Sequence, residues 1–396
     1  MEAADFERLG VYDPAAPDAA DRLRLLRDLL DQGARPEDLV AATDAGTLGG
    51  LALELTLRGE TTTRPFAEAV SEAGLSATEA ADVWSALGFP TPGDDVPRLT
   101  PEEVDALALL AGAGHDLLGE DAILGLVRVI GSSTARLAQA VVDAFRVQFE
   151  MPRRTTGTGY AEIVAEYSGL VDEELPAFLD AVGAVFLRHL IAAASRSWLF
   201  DPESSSAGRD LTVGFVDLVD YTRLSRTLTV RALEQLVNRF ETVLDRVLSR
   251  HDGQVVKLLG DGAMFVAADA TGACQTAVDL LAELAAEDGV PPARVGLASG
   301  RVVSLHGDYF GDVVNLASRL VGLADPSAAV VSDDVRRRVV DRLGPPAGGD
   351  PGHHVDLGHD GDSEGPGGDD LHFEPLPPST LKGFEVPTVA YRLVAG

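Results

Sequence analysis

Three short stretches carry side chains able to do chemistry. In FVDLVDYT, Asp217 closes an apolar, β-branched run. In VVKLLGDGAMFV, Lys257 sits inside an apolar run, and Asp261 occupies a Gly-Asp-Gly turn four residues on. In GDYFGDVVNLASRL, Asp308 precedes Asn315, and Arg319 follows four residues after that. An aspartate at a strand end and one at the tip of a neighbouring hairpin can converge closely. Two such carboxylates repel unless cations hold them, which is the chemistry of a Mg²⁺ or Mn²⁺ site. Either motif alone is better read as an ordinary turn aspartate. Asn315 and Arg319, at i and i+4, share one helix face and would offer an amide and a guanidinium to a ribose and a phosphate. Alone, that face is better read as solvated. Lys257 is the odd residue: a lysine in an apolar strand is costly unless something binds its charge.

The elements that must position these residues follow from periodicity. LTVGFVD (211–217) reads as a strand and 231–250 as a long helix. A hairpin over 254–267 turns at Gly-Asp-Gly, and a helix follows over about 270–287. Residues 293–303 read as a strand, 313–324 as a helix and 327–332 as a short strand, with two strands in HFEPLPPSTLKGFEVPTVAYRLV. Alternation of this kind predicts an α+β or α/β layered domain. Between them, 344–370 holds nine glycines and seven acids with no lysine or arginine. That composition predicts a solvated acidic insertion, in which His353, His354 and His359 bind no metal tightly.

Taken together, FVDLVDYT, KLLGDG and GDYFGDVVNLASR resemble the catalytic domain of class III nucleotide cyclases. The resemblance covers about 209–343 and 371–394. It implies a ferredoxin-like palm in which Asp217 and Asp261, with the Leu218 carbonyl, hold two Mg²⁺ or Mn²⁺ ions per active site. It implies that Lys257 and Asp308 select the purine. Adenine N1 accepts a hydrogen bond from the lysine and its N6 amino group donates one to the aspartate, whereas guanine reverses both polarities. Asn315 resembles the residue that orients the ribose, Arg319 the one that stabilises charge at the α-phosphate, and Lys382 in LKGF a triphosphate contact. The implied enzyme is an adenylyl cyclase acting on ATP as a homodimer, each site built from two protomers. A guanylyl cyclase or an inactive cyclase-like regulator are the alternatives. Asp220-Tyr221-Thr222 stands where the family often has Gly-Phe-Thr, placing an additional acid near the metal ligands.

Residues 1–171 read as helix after helix. Leu23, Leu26 and Leu30 repeat at helical spacing before Gly33, and Thr100 with Glu103 forms a capping box flanked by a Leu99–Val104 staple. Residues 172–208 read as a linker helix and loop, with Phe178, Val182, Val185 and His189 on one stripe, and the catalytic domain occupies 209–396. The helical half resembles actinobacterial cyclases with a pH-sensing regulatory domain, implying control by protons or a lipid, with His115 and His189 as titrating candidates.

Bulk composition narrows the partners. With 32 basic and 63 acidic residues the net charge is −31, a field that repels nucleic acid and anionic membranes. One cysteine, Cys274, permits no intrachain disulfide, which suits a reducing compartment. The acidic N-terminus lacks an apolar signal core, and Arg188 and His189 interrupt the most apolar segment. The expectation is a cytoplasmic protein with no membrane span.

Overall fold

The computed structural model describes residues 1–59, 63–90, 98–113, 119–197, 208–343, 354–355 and 371–395. They fall into two compact units, Met1–Phe200 and Asp201–Gly396.

The second unit is an α+β layer built on one sheet. Its elements are β1 (Arg209–Leu218), α1 (Tyr221–Ser225), α2 (Val230–Arg250), β2 (Gln254–Leu258), β3 (Gly262–Ala267) and α3 (Ala270–Ala286). Then come β4 (Ala293–Leu305), β5 (Asp308–Phe310), α4 (Asp312–Leu320), β6 (Ala328–Ser332), α5 (Asp333–Leu343), β7 (His354–Val355), β8 (Leu371–Pro375) and β9 (Ala390–Ala395). The sheet order is β2-β3-β1-β4-β6-β9-β8-β7, with β5 hairpinned onto β4. All pairings are antiparallel except β4 with β6. That parallel pair needs a crossover, and α4 supplies it.

Strand β1 is central because its residues are apolar on both faces. Val216 and Leu218 point into a core with α2 and α3, including Phe240, Leu244, Leu280 and Leu284. Val213 points the other way, into a layer with Met264, Ala317 and Leu320 under α4. The two hydroxyls buried between β1 and β4, on Thr212 and Ser299, satisfy each other at 2.7 Å, as burial requires.

The periodic elements stand where the sequence places them, to within a few residues. Three features differ. The β4 strand runs on to Leu305 and returns as β5 through a two-residue turn, His306-Gly307, with both φ angles positive (53° and 76°). That is the geometry of a type I′ hairpin, and it fixes the position of Asp308. Helix α5 was not anticipated; its charged surface hides Val335 and Val339, which are buried. Within the expected acidic insertion, His354 and Val355 pair with β8. The remainder of that insertion lies outside the described residues, His353 and His359 included.

Among its described residues the first unit is helical apart from one short strand pair, Arg64–Pro65 with Arg98–Leu99, which the all-helical expectation missed. The capping box at Thr100 forms: its N–H donates to Glu103 at 2.8 Å, and its hydroxyl accepts from the Glu103 N–H at 3.3 Å. Leu26 is buried in a core with Phe6, Leu25, Leu29, Ile163 and Tyr167. The last helix of this unit is longer than expected, Tyr160–Ser197, and continues through Pro176. Asp21 accepts a hydrogen bond from Ala161 N–H at 3.0 Å in its first turn, satisfying one of the donors a helix start leaves open.

The stripe on that helix is not buried within the chain. Phe178, Val185 and His189 are exposed, as are Leu179, Phe186, Leu187, Leu190 and Ile191. The stretch Glu173–Ser195 is long and apolar enough, by length and composition alone, to cross a membrane. The sequence reading discounts it because of Arg188 and His189. A snorkelling arginine does not by itself disqualify such a helix, so that ground is corrected. His115 lies outside the described residues.

Candidate active site

Two groups of the expected site residues are brought together. The first lies where β1 ends. Asp217 pairs in register with Gly262 of β3 and Arg294 of β4. The Leu218 N–H donates to the Asp261 carbonyl at 2.8 Å, clamping the β2–β3 turn against the strand end. Gly262 makes this approach possible: a Cβ there would meet the Val216 carbonyl oxygen at 2.4 Å. Asp217, Leu218 and Asp261 consequently line one pocket of about 370 Å³, together with Asp220, Tyr221, Thr222, Arg223, Arg226 and Arg294.

Sequence reasoning missed Arg294. Its guanidinium donates to Asp217 at 2.5 Å, while its Nε is buried without a partner. The signal was present, since a lone arginine opens the apolar strand RVGLAS, the same anomaly that singled out Lys257. What the sequence could not supply was the partner, 77 residues away.

The donors fit a hard divalent cation. Asp261 has no side-chain partner within the described residues, and it lines the same pocket as Asp217 and Leu218. Two carboxylates and a carbonyl offer oxygen only, the preference of Mg²⁺ or Mn²⁺, and leave further positions for phosphate oxygens and water. Among the described residues, no cluster of three or more His, Cys, Asp or Glu side chains exists to form a self-sufficient protein cage.

The second group is Lys257 and Asp308. The Lys257 ammonium donates to Asp308 Oδ2 at 2.5 Å, and Oδ1 of the same carboxylate accepts from the Tyr309 N–H at 2.8 Å. A register shift between Val255 and Lys257 marks a bulge, of the kind that re-aims side chains near sites. The charge of Lys257 is thus bound by Asp308, not by nearby Asp261. The pair sets a cationic donor beside an anionic acceptor.

The remaining expected residues join neither group. Asn315 and Arg319 lie on the exposed face of α4, and neither makes a side-chain hydrogen bond or ion pair with a described residue. Lys382 is exposed in the β8–β9 connection, beside Gly383 at φ +93°, and does not line the acid pocket. His306 is exposed in its turn.

Residues 204–343 match the model of the adenylate and guanylate cyclase catalytic domain. An adenylate cyclase of Streptomyces coelicolor is 36% identical over 278 residues, covering 70% of this chain and 71% of that protein. The chain belongs to the class III nucleotide cyclase family. The likeness of this cyclase to its relatives extends into the helical unit. An uncharacterised protein of Mycobacterium tuberculosis is 32% identical over 395 residues, covering 99% of this chain and 95% of its own. A pH-sensitive adenylate cyclase of the same species is 28% identical, covering 81% of each chain.

Proposed function

We propose that the chain is an adenylyl cyclase that converts ATP to 3′,5′-cyclic AMP and pyrophosphate, working as a homodimer under control of its helical unit. The observation that carries the substrate choice is the Lys257–Asp308 pair. Donor and acceptor stand side by side, the polarity that adenine N1 and N6 require and that guanine reverses.

In this reading Asp217 and Asp261, with the Leu218 carbonyl, hold two Mg²⁺ or Mn²⁺ ions. Bound there, the ions acidify the ribose 3′-hydroxyl and neutralise the triphosphate. Arg294, released from Asp217, turns its guanidinium to phosphate oxygens. Asn315 orients the ribose, Arg319 stabilises charge at the α-phosphate, and Lys382 holds the triphosphate from the same wall. The 3′-hydroxyl gives its proton to water, its oxygen attacks the α-phosphorus in line, and the bond from that phosphorus to the α–β bridging oxygen breaks, the electron pair leaving with pyrophosphate.

A homodimer accounts for the split between the two groups of residues and for exposed apolar surface. On the catalytic unit Leu258, Leu259, Val303, Leu305 and Phe310 are each about half exposed, near both groups in sequence. On the helical unit the Glu173–Ser195 stripe is exposed. Burying such surface against a second copy is favourable in proportion to its area.

Regulation by protons or a lipid is supported by a cavity of about 860 Å³ in the helical unit. Apolar Leu25, Leu53, Phe145 and Ile163 line it alongside Arg146, Glu150 and Arg154.

The test is to give full-length protein and a 201–396 fragment ATP or GTP with Mg²⁺ or Mn²⁺ across acid to mildly alkaline pH. Cyclic AMP formation supports the enzyme reading, and its absence from both proteins overturns it. Equal pH profiles of the two proteins overturn regulation by protons through the helical unit.

A further inference from the structure

The acid pocket contains more cation than the expected site residues explain. Three of its lining residues are acids, Asp217, Asp220 and Asp261, and three are arginines, Arg223, Arg226 and Arg294. Arg294 is paired with Asp217 and already has a phosphate role in the reading above. Arg223 lies in α1, the five-residue helix that begins shortly after the metal-acid strand, and Arg226 caps its C-terminus.

We infer that Arg223 and Arg226 bind the distal phosphates of the nucleotide and of the pyrophosphate product. This rests on the cyclase reading above, and assigns that site two further binding residues.

Three observations carry it. First, Arg223 and Arg226 are at i and i+3, so they share one face of the turn, and both line the pocket that holds the acids. Asp220 starts the turn in a left-handed conformation, φ 57° and ψ 18°. The turn it opens and the strand end line one pocket.

Second, both arginines are available. Arg226 makes no ion pair or hydrogen bond with a described residue. Arg223 has only Asp220 at 3.9 Å, with both side chains largely exposed, which is the limit of an ion pair and worth little. Neither is needed to hold the fold.

Third, the charges demand them. The chain carries a net charge of −31, which repels a polyanion on approach. Two divalent cations match a nucleoside triphosphate but leave the three acids uncompensated. Three arginines in the same pocket restore the balance. Guanidinium groups also match phosphate oxygens in bidentate geometry.

Such contacts grip phosphates far from the reacting α-phosphorus, and hold substrate and transition state about equally. Their loss therefore raises KM more than it lowers kcat. The experiment compares wild type, R223Q/R226Q and R223K/R226K as full-length protein. It measures cyclic AMP kinetics and, separately, pyrophosphate binding by calorimetry in Mg²⁺ buffer.

The expected result for the glutamine variant is a KM for ATP raised by about tenfold or more and pyrophosphate affinity lowered by a similar factor. The lysine variant recovers most of both, and all three proteins melt alike. KM and pyrophosphate affinity within about twofold of wild type in the glutamine variant would overturn the inference. A wild type that makes no cyclic nucleotide sinks the cyclase reading instead, while the pyrophosphate titration still reads the two arginines.

Discussion

Reversing the Lys257–Asp308 pair tests substrate choice most sharply. The perturbation is the double variant Lys257→Glu and Asp308→Cys, which places an acceptor where the structure holds a donor and a weak donor where it holds an acceptor. The two side chains are 37% and 29% exposed, so the ion pair itself contributes under about 1 kcal/mol to folding, and the variant should fold. Its effect on recognition is larger. A hydrogen bond to a charged group is worth about 1.5–3 kcal/mol, and partial exposure puts each of these at the low end. Two misdirected bonds then cost about 3 kcal/mol, or roughly a 150-fold fall in kcat/KM for ATP. GTP, whose polarities the variant now matches, should not lose in parallel, so the ATP:GTP ratio should collapse by about two orders of magnitude. The assay is kcat/KM for each nucleotide, with calorimetric affinities for the two triphosphates where turnover is too slow. An unchanged ATP:GTP ratio in a folded, nucleotide-binding variant would refute the assignment.

Three further perturbations probe the scaffold. Gly262→Ala forces a Cβ against the Val216 carbonyl oxygen, so it should cost about 1–3 kcal/mol in thermal or denaturant unfolding and loosen the Asp261 turn enough to depress activity. Asp220→Gly relieves a left-handed backbone at φ 57° and should raise stability by about 0.5 kcal/mol, offset in part by the freer unfolded chain. Asp333→Asn reports on pH. Burial opposes ionisation there, but the hydrogen bond and charge of Arg336 and the charge of Arg337 prevail, so the carboxyl titrates below its ordinary 3.8. A lowered value means stability present above 3.8 and lost as the pH falls through the folded value. The variant should lose under about 1 kcal/mol at neutral pH, and its deficit should vanish in acid melts.

Much of this was legible because the signals are local. The β-branched run ending at Asp217, the Gly-Asp-Gly turn and the amphipathic 230–250 helix each announce themselves within a few residues. The Lys257 anomaly was legible as a question; its answer, Asp308, lies 51 residues on and needed the His306-Gly307 hairpin. Arg294 was missed for the same reason, since nothing near it in the chain names Asp217 as partner. Helix α5 was overlooked because DDVRRRVVDRL is mostly charged, with its apolar stripe reduced to valines. Charges in runs broken by single or paired valines suit an element with one buried edge, which only the neighbouring α3 and β6 reveal. The sequence reading places the last helix of the first unit from 172, yet it begins at Tyr160 and runs through Pro176, because tertiary contacts of its first turns, not the local pattern, extend it.

The central claim is that one chain supplies only part of each site, with the metal acids and the α4 residues serving different sites of one dimer. Mixing Asp261→Ala chains with Arg319→Ala chains tests it directly. Each variant alone should be nearly inactive. The hybrid dimer contains one site with both residues intact and one with neither, so mixing should restore cyclic AMP formation to a sizeable fraction of wild type. If hybrid dimers form, as shown by co-purification of differently tagged chains, and the mixture stays as inactive as its components, the shared-site account is contradicted.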